Sequence, residues 1–125
     1  MLSIVILAVD DLARAVAFYR AAFGWAPVVE TPVYVELAAG GCNVGLYARE
    51  GYARNVGVLP PRAWPVAATE LYLRVPDLAG ACARLTAAGA RALSPAAARP
   101  WEETVAYFAD RDGNVVAVAA EAKPG

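Results

Sequence analysis

The stretch ILAVDDLARA at residues 6–15 is nearly repeated 66 residues later as YLRVPDLAGA at residues 72–81. Alanine is abundant in this chain, so the alanine matches carry little weight. The shared skeleton is the set of identical pairs Leu7/Leu73, Val9/Val75, Asp11/Asp77 and Leu12/Leu78. A strand that runs through an aspartate into a helix, present twice in a small chain, indicates a domain built from two copies of one unit. Two copies that face each other form a cleft, and we expect the functional site there.

The first copy has the pattern of a strand, a helix and three further strands. Apolar and β-branched residues fill 2–9, and Asp10-Asp11 can cap the helix that follows. Apolar residues then recur at helical spacing until Gly24, which ends the helix. We predict strands at 26–30, 32–38 and 42–49, with a hairpin turn at Ala39-Gly40-Gly41.

The second copy repeats this order. We predict a strand at 68–75, a helix at 77–88 closed by Gly89, and strands at 91–93, 103–108 and 114–120, with a turn at 110–113. The segment between the copies is rich in glycine and proline and is predicted to be a linker or a lid. The chain is therefore predicted to be one domain over residues 1–125, with module 1 at about 1–49, the linker at 50–66 and module 2 at about 67–120.

Composition excludes several classes of protein. The 125 residues include 59% hydrophobic residues, yet no apolar run approaches the roughly 20 residues that span a membrane. The net charge is −1 and the basic residues are scattered, which argues against a nucleic-acid partner. The two cysteines have no metal-ligand or disulfide-framework spacing, and no signal peptide is evident. We expect a cytoplasmic protein with neither a membrane nor a nucleic acid as partner.

Two motifs connect the chain with a known family. The first is Val9-x-Asp11-Leu12 with Phe18-Tyr19 and Gly24, and the second is Pro100-Trp101 followed by Asp110-x-Asp112-Gly113-Asn114. On these residues the chain resembles the vicinal oxygen chelate superfamily, which contains glyoxalase, extradiol dioxygenases and bleomycin-resistance proteins, and most closely its metal-free, antibiotic-binding members. It departs from the family at Arg111, where a proline is usual, and at Glu102, where a glycine often follows the tryptophan. The resemblance implies an α+β fold: two tandem βαβββ modules forming an eight-stranded, cup-shaped sheet that is paired across a dimer.

The resemblance also implies four metal-ligand positions, one on the first and one on the last strand of each copy, usually His, Gln or Glu. Counting from the motifs places them at Ile4, Gly45, Glu70 and Ala117. Only Glu70 can donate to a metal, and the chain has no histidine. A catalytic site for a hard metal needs several oxygen or nitrogen donors that converge on one ion. We therefore expect no metal site and no cofactor, and room at Gly45 and Ala117 for an organic molecule.

Strand alternation predicts which side chains face the cleft, because successive residues point to opposite faces. Ile4, Ile6 and Ala8 are expected on that face, while the direction of Tyr34 and Glu36 is the least determined. Aromatic side chains with a few polar groups are typical of pockets for organic ligands. Trp101, which the resemblance places at a tryptophan of the antibiotic-binding relatives, is our first choice for a stacking surface. The predicted ligand-binding residues are Tyr47, Arg49, Glu70, Tyr72, Arg74, Trp101, Glu103 and Tyr107.

Each of these residues also has a structural interpretation. Tyr47 and Tyr72 could fill the space between the two half-sheets, and Trp101 could pack against the end of the barrel or a partner subunit. Glu70 could form an ion pair with Arg74 or Arg49. Asp11 and Asp77 are interpreted as helix caps, not as catalytic acids. Trp25 and Trp64 are interpreted as packing or interface residues.

Three functional hypotheses follow. The first is a metal-free protein that sequesters a hydrophobic or aromatic small molecule, such as an antibiotic, and the resemblance implies a homodimer with exchanged strands for it. The second is a metal-independent enzyme in which Glu70 is the general acid or base and Tyr72 or Tyr107 assists. The third is a degenerate metalloprotein whose ligands lie in another register.

Overall fold

A computed structural model describes residues 1–122 of the chain. The chain divides into two compact units, Met1–Arg62 and Ala63–Gly125. The elements of the first unit are β1 (Ile4–Val9), α1 (Leu12–Phe23), β2 (Ala26–Glu30), β3 (Tyr34–Ala38), β4 (Asn43–Ala48) and α2 (Arg49–Val56). Those of the second are β5 (Glu70–Val75), α3 (Leu78–Ala87), β6 (Arg91–Ala98), β7 (Thr104–Ala109) and β8 (Val115–Ala120).

Each unit contains one four-stranded mixed sheet with the same topology. The strand order is β1-β4-β3-β2 in the first unit and β5-β8-β7-β6 in the second. In both, the first strand pairs in parallel with the last, and the remaining pairs are antiparallel. The predicted α+β fold of two βαβββ modules is confirmed. In the described residues the eight strands are hydrogen-bonded as these two sheets of four.

The repeated aspartates are helix caps, as predicted. The Asp11 carboxylate accepts a hydrogen bond from the backbone N–H of Arg14 at 3.1 Å, and Asp77 accepts one from Gly80 at 3.0 Å. These bonds satisfy donors that the first helical turn leaves without a backbone partner. At the other end of α1, Gly24 has φ 69°, a left-handed conformation that costs glycine little.

Alternation along strand β1 determines which of its side chains are buried. Leu7 and Val9 of β1 are buried on the side covered by α1, while Ile4 and Ile6 on the other side are 37% and 42% exposed. Helix α1 supplies buried aromatic side chains to this core, and Trp25 stacks on Tyr19 with 5.7 Å between ring centroids. The interpretation of Trp25 as a packing residue is confirmed. The first strand therefore leaves one face of its sheet free of helix α1, as predicted.

The second unit has buried residues on both faces of its sheet. Helix α3 packs against β8, and Ala81 and Leu85 are its buried residues. On the opposite face, Val105, Ala117 and Ala119 form a fully buried cluster against which Tyr72 and Tyr107 pack. Small side chains in the middle of this face therefore lie beneath the two tyrosine rings.

The segment predicted as strand end and linker contains a helix that the sequence analysis did not predict. Strand β4 ends at Ala48, and Arg49 begins α2. The prediction that Arg49 continues the fourth strand is therefore wrong. Gly51 allows the helix to approach the sheet, since a Cβ there would lie 3.0 Å from the Tyr47 ring and 3.3 Å from Val33. The sixth strand is also longer than predicted, because the irregular pairing of β6 with β7 extends to Ala98.

The turn at 110–113 is built around a buried carboxylate. Asp110 accepts hydrogen bonds from the backbone N–H groups of Asp112 and Asn114, each at 2.9 Å, and from the Asn114 side chain at 3.0 Å. Gly113 has φ 83°, and a Cβ there would lie 2.6 Å from the Ala63 carbonyl oxygen. This part of the family motif therefore has a structural role.

In the described part of the chain, no helix has the length and apolar character needed to cross a membrane. Both cysteines are free and half-buried.

Candidate functional site

The four predicted metal-ligand positions do not form a donor set. Ile4 and Gly45 lie on the first sheet, and Glu70 and Ala117 on the second. Over residues 1–122, no three His, Cys, Asp or Glu side chains are grouped so that they could hold a metal ion. One carboxylate among two aliphatic side chains and a glycine does not fit the divalent ion that the sequence resemblance implies.

A connected network of four side chains links strand β5 with the β6–β7 connection of the second sheet. Arg74 of β5 donates two hydrogen bonds to the Glu103 carboxylate, from Nε at 2.8 Å and Nη2 at 3.0 Å. The Tyr72 hydroxyl donates to the same carboxylate at 2.9 Å. Trp101 Nε1 donates to the Tyr72 hydroxyl oxygen, also at 2.9 Å. The structure thus brings together four of the eight predicted ligand-binding residues.

The charges in this network stabilise each other. The paired hydrogen bonds from Arg74 hold the pKa of the Glu103 carboxyl below its usual range, and the bond from Tyr72 acts in the same direction. Burial raises the pKa of Tyr72, and its bond to Glu103 adds to this while the bond from Trp101 opposes it. The pKa of Arg74 is raised by Glu103. Near neutral pH the network therefore contains an ion pair and a protonated tyrosine.

Trp101 is held in place although half of its surface is exposed. Its exposed fraction is 50%, and its ring centroid lies 6.5 Å from that of Tyr72 at an interplanar angle of 57°. The hydrogen bond from Nε1 to Tyr72 holds the indole in one orientation. The Trp101 side chain therefore loses little further conformational entropy when a ligand stacks on it. The next residue, Glu102, has φ 70°, a conformation that side chains other than glycine rarely adopt. This is the position where the family often has glycine.

Tyr107 is flanked by an arginine that the sequence analysis did not single out. The Arg99 guanidinium lies 5.0 Å from the Tyr107 ring centroid. The same group donates hydrogen bonds to Val105 O, Pro95 O and Ser94 Oγ. Arg99 therefore links strands β6 and β7 by hydrogen bonds, and its guanidinium forms a cation–π contact with the Tyr107 ring. The only indication in the sequence is its position two residues before Trp101.

A second group of polar side chains lies on the free face of the first sheet. The Tyr34 hydroxyl donates to one oxygen of Glu36 at 2.8 Å, and the Asn43 amide donates to the other at 2.7 Å. Burial first, and then the neighbouring Glu36, raise the pKa of Tyr34 to about 12. The direction of these side chains, undetermined from sequence, is fixed by register, because Glu36 pairs with Gly45 and Tyr34 with Tyr47.

The space predicted above Gly45 is occupied. A Cβ at this position would lie 2.5 Å from the Tyr34 hydroxyl oxygen and 2.6 Å from a ring carbon. The prediction that Gly45 leaves room for a ligand is therefore wrong, because the missing side chain makes room for Tyr34 instead. The equivalent residue of the second sheet, Ala117, is fully buried opposite Tyr72 and Tyr107.

Tyr47 is part of a row of tyrosines supported by helix α2. Its ring centroid lies 5.2 Å from that of Tyr34 and 5.8 Å from that of Tyr52. Asn55 of α2 donates a hydrogen bond to the Tyr47 hydroxyl at 3.1 Å. Tyr47 is half-buried, so α2 positions a predicted ligand-binding residue from a segment predicted to be a linker or lid.

Arg49 forms hydrogen bonds with other residues of the first unit. It donates to Asp10 at 2.8 Å and to the carbonyl oxygens of Pro60 and Pro61 at 3.1 and 3.4 Å, and its side chain is only 10% exposed. Arg62 also donates to Asp10, at 3.0 Å. A cavity of about 480 Å³ adjoins these residues. The arginine–aspartate pairs in its wall hold the segment that follows α2 against the end of β1.

Glu70 does not join either group. It is exposed at the start of β5. The two arginines considered as its partners bind other carboxylates, Arg74 binding Glu103 and Arg49 binding Asp10. In the part of the chain that the structure describes, neither ion pair predicted for Glu70 is formed.

Comparison with known proteins gives one consistent result. Residues 2–118 match the sequence profile described as the Glyoxalase/Bleomycin resistance protein/Dioxygenase superfamily. The chain is similar to the structure of a glyoxalase-related enzyme from Fulvimarina pelagi, with 28% identity and a TM-score of 0.87 over 97% of this chain and 88% of that one. Two structures below 25% identity share the fold. One is a glyoxalase/bleomycin resistance protein/dioxygenase family enzyme from Burkholderia phytofirmans PsJN (20%, TM-score 0.84, covering 94% and 96%) and the other is TioX from Micromonospora sp. ML1 (22%, 0.73, 98% and 99%). Comparison with curated proteins gives no significant match.

Proposed function

The chain belongs to the glyoxalase/bleomycin resistance protein/dioxygenase superfamily, and from this membership we propose that it is a metal-free binding protein that sequesters a hydrophobic or aromatic small molecule. Aromatic antibiotics are among the candidate ligands. Sequestration requires affinity and no bond-making step, so it tolerates residues without donor atoms at three of the four implied metal-ligand positions. The single observation that carries the proposal is the half-exposed Trp101, fixed by Tyr72, Glu103 and Arg74.

The arrangement supports recognition by stacking. An indole face of this kind offers a large apolar area and favours a flat aromatic partner. The ion pair below it is satisfied within the protein, so a ligand need not supply charge to occupy the site. Arg74 remains 63% exposed along its side chain and lies 5.5 Å from the Tyr72 ring centroid. It can therefore contact a polar substituent at the edge of the ligand.

Metal-independent catalysis by Glu70, with Tyr72 or Tyr107 as assistant, stays a prediction. Tyr72 donates its hydroxyl hydrogen to Glu103, and Tyr107 packs beneath Arg99. No observation favours this reaction over binding. The expected homodimer with exchanged strands also stays a prediction, which molecular mass measurements in solution would test.

Isothermal titration with a panel of planar aromatic compounds, including DNA-binding antibiotics, tests the proposal. We expect at least one compound to bind, and Trp101→Ala to weaken it by about tenfold, since a stacked aromatic pair contributes roughly 0.5–1.5 kcal/mol beyond the area it buries. Trp64→Ala is the matched control, because Trp64 is 80% exposed and lies in the same unit. Equal losses in the two variants, or no binding across the panel, would contradict the proposal.

A further inference from the structure

On the first sheet, Glu36 carries a charge that the protein does not compensate. Its two oxygens accept hydrogen bonds from Tyr34 and Asn43, which are both neutral. Within residues 1–122, no arginine or lysine lies within ion-pair distance of this carboxylate. A half-buried carboxylate is most stable with an opposite charge beside it. With two of about four acceptor sites in use, Glu36 can also accept further N–H donors.

The surroundings of Glu36 are aromatic and apolar. The rings of Tyr34, Tyr47 and Tyr52 follow one another with centroids 5.2 and 5.8 Å apart. Tyrosine faces attract cations through the ring quadrupole. On the other side of Glu36, Gly45 pairs with both Glu36 and Ile6, so these residues lie in one row across the sheet. Ile4 pairs with Asn43. Both isoleucines are more than one-third exposed.

We propose that the Glu36–Tyr34–Asn43 group on the first sheet is a binding site for an organic cation, a primary ammonium carried on an apolar body. The ammonium binds the Glu36 carboxylate against the Tyr34 ring, and the apolar body covers Ile4 and Ile6. A bare metal ion is a poor match, because a hard cation needs several converging oxygen ligands and, in the described residues, Glu36 belongs to no group of three acidic, histidine or cysteine side chains. This site lies in a different unit from Trp101 and does not depend on the function proposed for that residue.

Three probes with the same ring and different head groups test this site: 2-phenylethylamine, 2-phenylethanol and 3-phenylpropionate. They are titrated into the full ¹⁵N-labelled chain, and binding is followed by the amide shifts of residues 34, 36 and 43. We expect the amine to bind about tenfold more tightly than the alcohol, since hydrogen bonds to charged groups are the stronger ones, and the carboxylate not to bind. Added salt should reduce the advantage of the amine.

Three variants show whether the preference for the amine depends on the charge of Glu36. Glu36→Gln should bring the amine to the affinity of the alcohol, whereas Glu30→Gln, which removes an exposed carboxylate on the neighbouring strand, should leave the preference unchanged. Trp101→Ala should also leave it unchanged, so failure here is distinct from failure of the stacking proposal. Equal binding of amine and alcohol by the unmodified protein, or amine shifts confined to other residues, would overturn the inference even if Glu36→Gln did not fold.

Discussion

Glu36 in the first unit and Glu103 in the second are both half-buried carboxylates that accept a tyrosine hydroxyl bond, yet their other partners differ. Glu103 accepts two further bonds from Arg74, whereas Glu36 accepts one from the neutral amide of Asn43. The second unit thus offers a charge-balanced network with an exposed indole, and the first an uncompensated negative charge beside tyrosines. One topology, used twice, therefore supports two groups of side chains with different chemistry.

The largest expected effect concerns the small residues in the middle of the two sheets. Gly45→Ala should destabilise the protein by about 2 kcal/mol, because the new methyl group must displace the Tyr34 ring and break its bond to Glu36. The reverse change in the second unit, Ala117→Gly, should cost about 1–2 kcal/mol, through backbone entropy and through the loss of a buried methyl group from beneath Tyr72 and Tyr107. Urea unfolding followed by tryptophan fluorescence measures both. A cost well below about 1 kcal/mol for Gly45→Ala would show that the Tyr34 ring moves aside without loss.

The next effect concerns the turn beside Trp101. In the described residues Glu102 is the only non-glycine with positive φ, and the left-handed positions of the first unit are all glycines. Glu102→Gly should therefore raise the free energy of unfolding by about 1 kcal/mol, reduced in part by the greater freedom of glycine in the unfolded chain. Glu102→Ala removes the same charge but keeps the Cβ, so it should give no such gain. Thermal unfolding of the three proteins tests this.

A smaller effect is expected from acid. The pKa of Glu103 is lowered from 4.5 in the folded protein, so its charged form stabilises the fold above that pH, and this contribution is lost as pH falls through the lowered pKa. Glu103→Gln should therefore be less stable than the unmodified protein at neutral pH, and the two should converge in acid. Denaturant midpoints measured from neutral pH to about pH 3 follow this, with Glu30→Gln as the control for net charge. A constant difference would contradict the ion-pair interpretation.

The smallest expected effect is a shift in the pKa of Tyr34, which is observed only at alkaline pH. The pKa of Tyr34 is about 12, raised by burial and by Glu36. Because the neutral hydroxyl is favoured, its contribution to stability is complete below pH 10 and is lost as pH rises through about 12. Glu36→Gln should lower this pKa toward 10 without reaching it, since burial remains. Ultraviolet titration of tyrosinate, with Tyr34→Phe to assign the step, measures the shift. An unchanged titration would mean that Glu36 has no influence on Tyr34.

Parts of the candidate site could be predicted because alternation along a strand is local. Tyr72 and Arg74 follow from the repeat, and Trp101 from the family motif. The partner of Arg74 could not be predicted, because Glu103 is 29 residues distant along the chain and meets it only through the pairing of β5, β8 and β7. Arg49 was misplaced because nothing in its local pattern shows that the strand stops one residue earlier. Helix α2 was missed because its stability comes from packing on Tyr47 and Val33, where Gly51 permits close approach.

The sequence by itself determined the two βαβββ modules and their helix caps, since periodicity and capping residues are local properties. Only the tertiary structure determined which side chains bind the carboxylates of Glu36 and Glu103. Strand pairing placed Tyr34 over Gly45 and beside Glu36, and placed Tyr72 and Arg74 on Glu103. The strength of a hydrogen bond or an ion pair depends on distances between residues remote in the chain, and folding alone sets these distances.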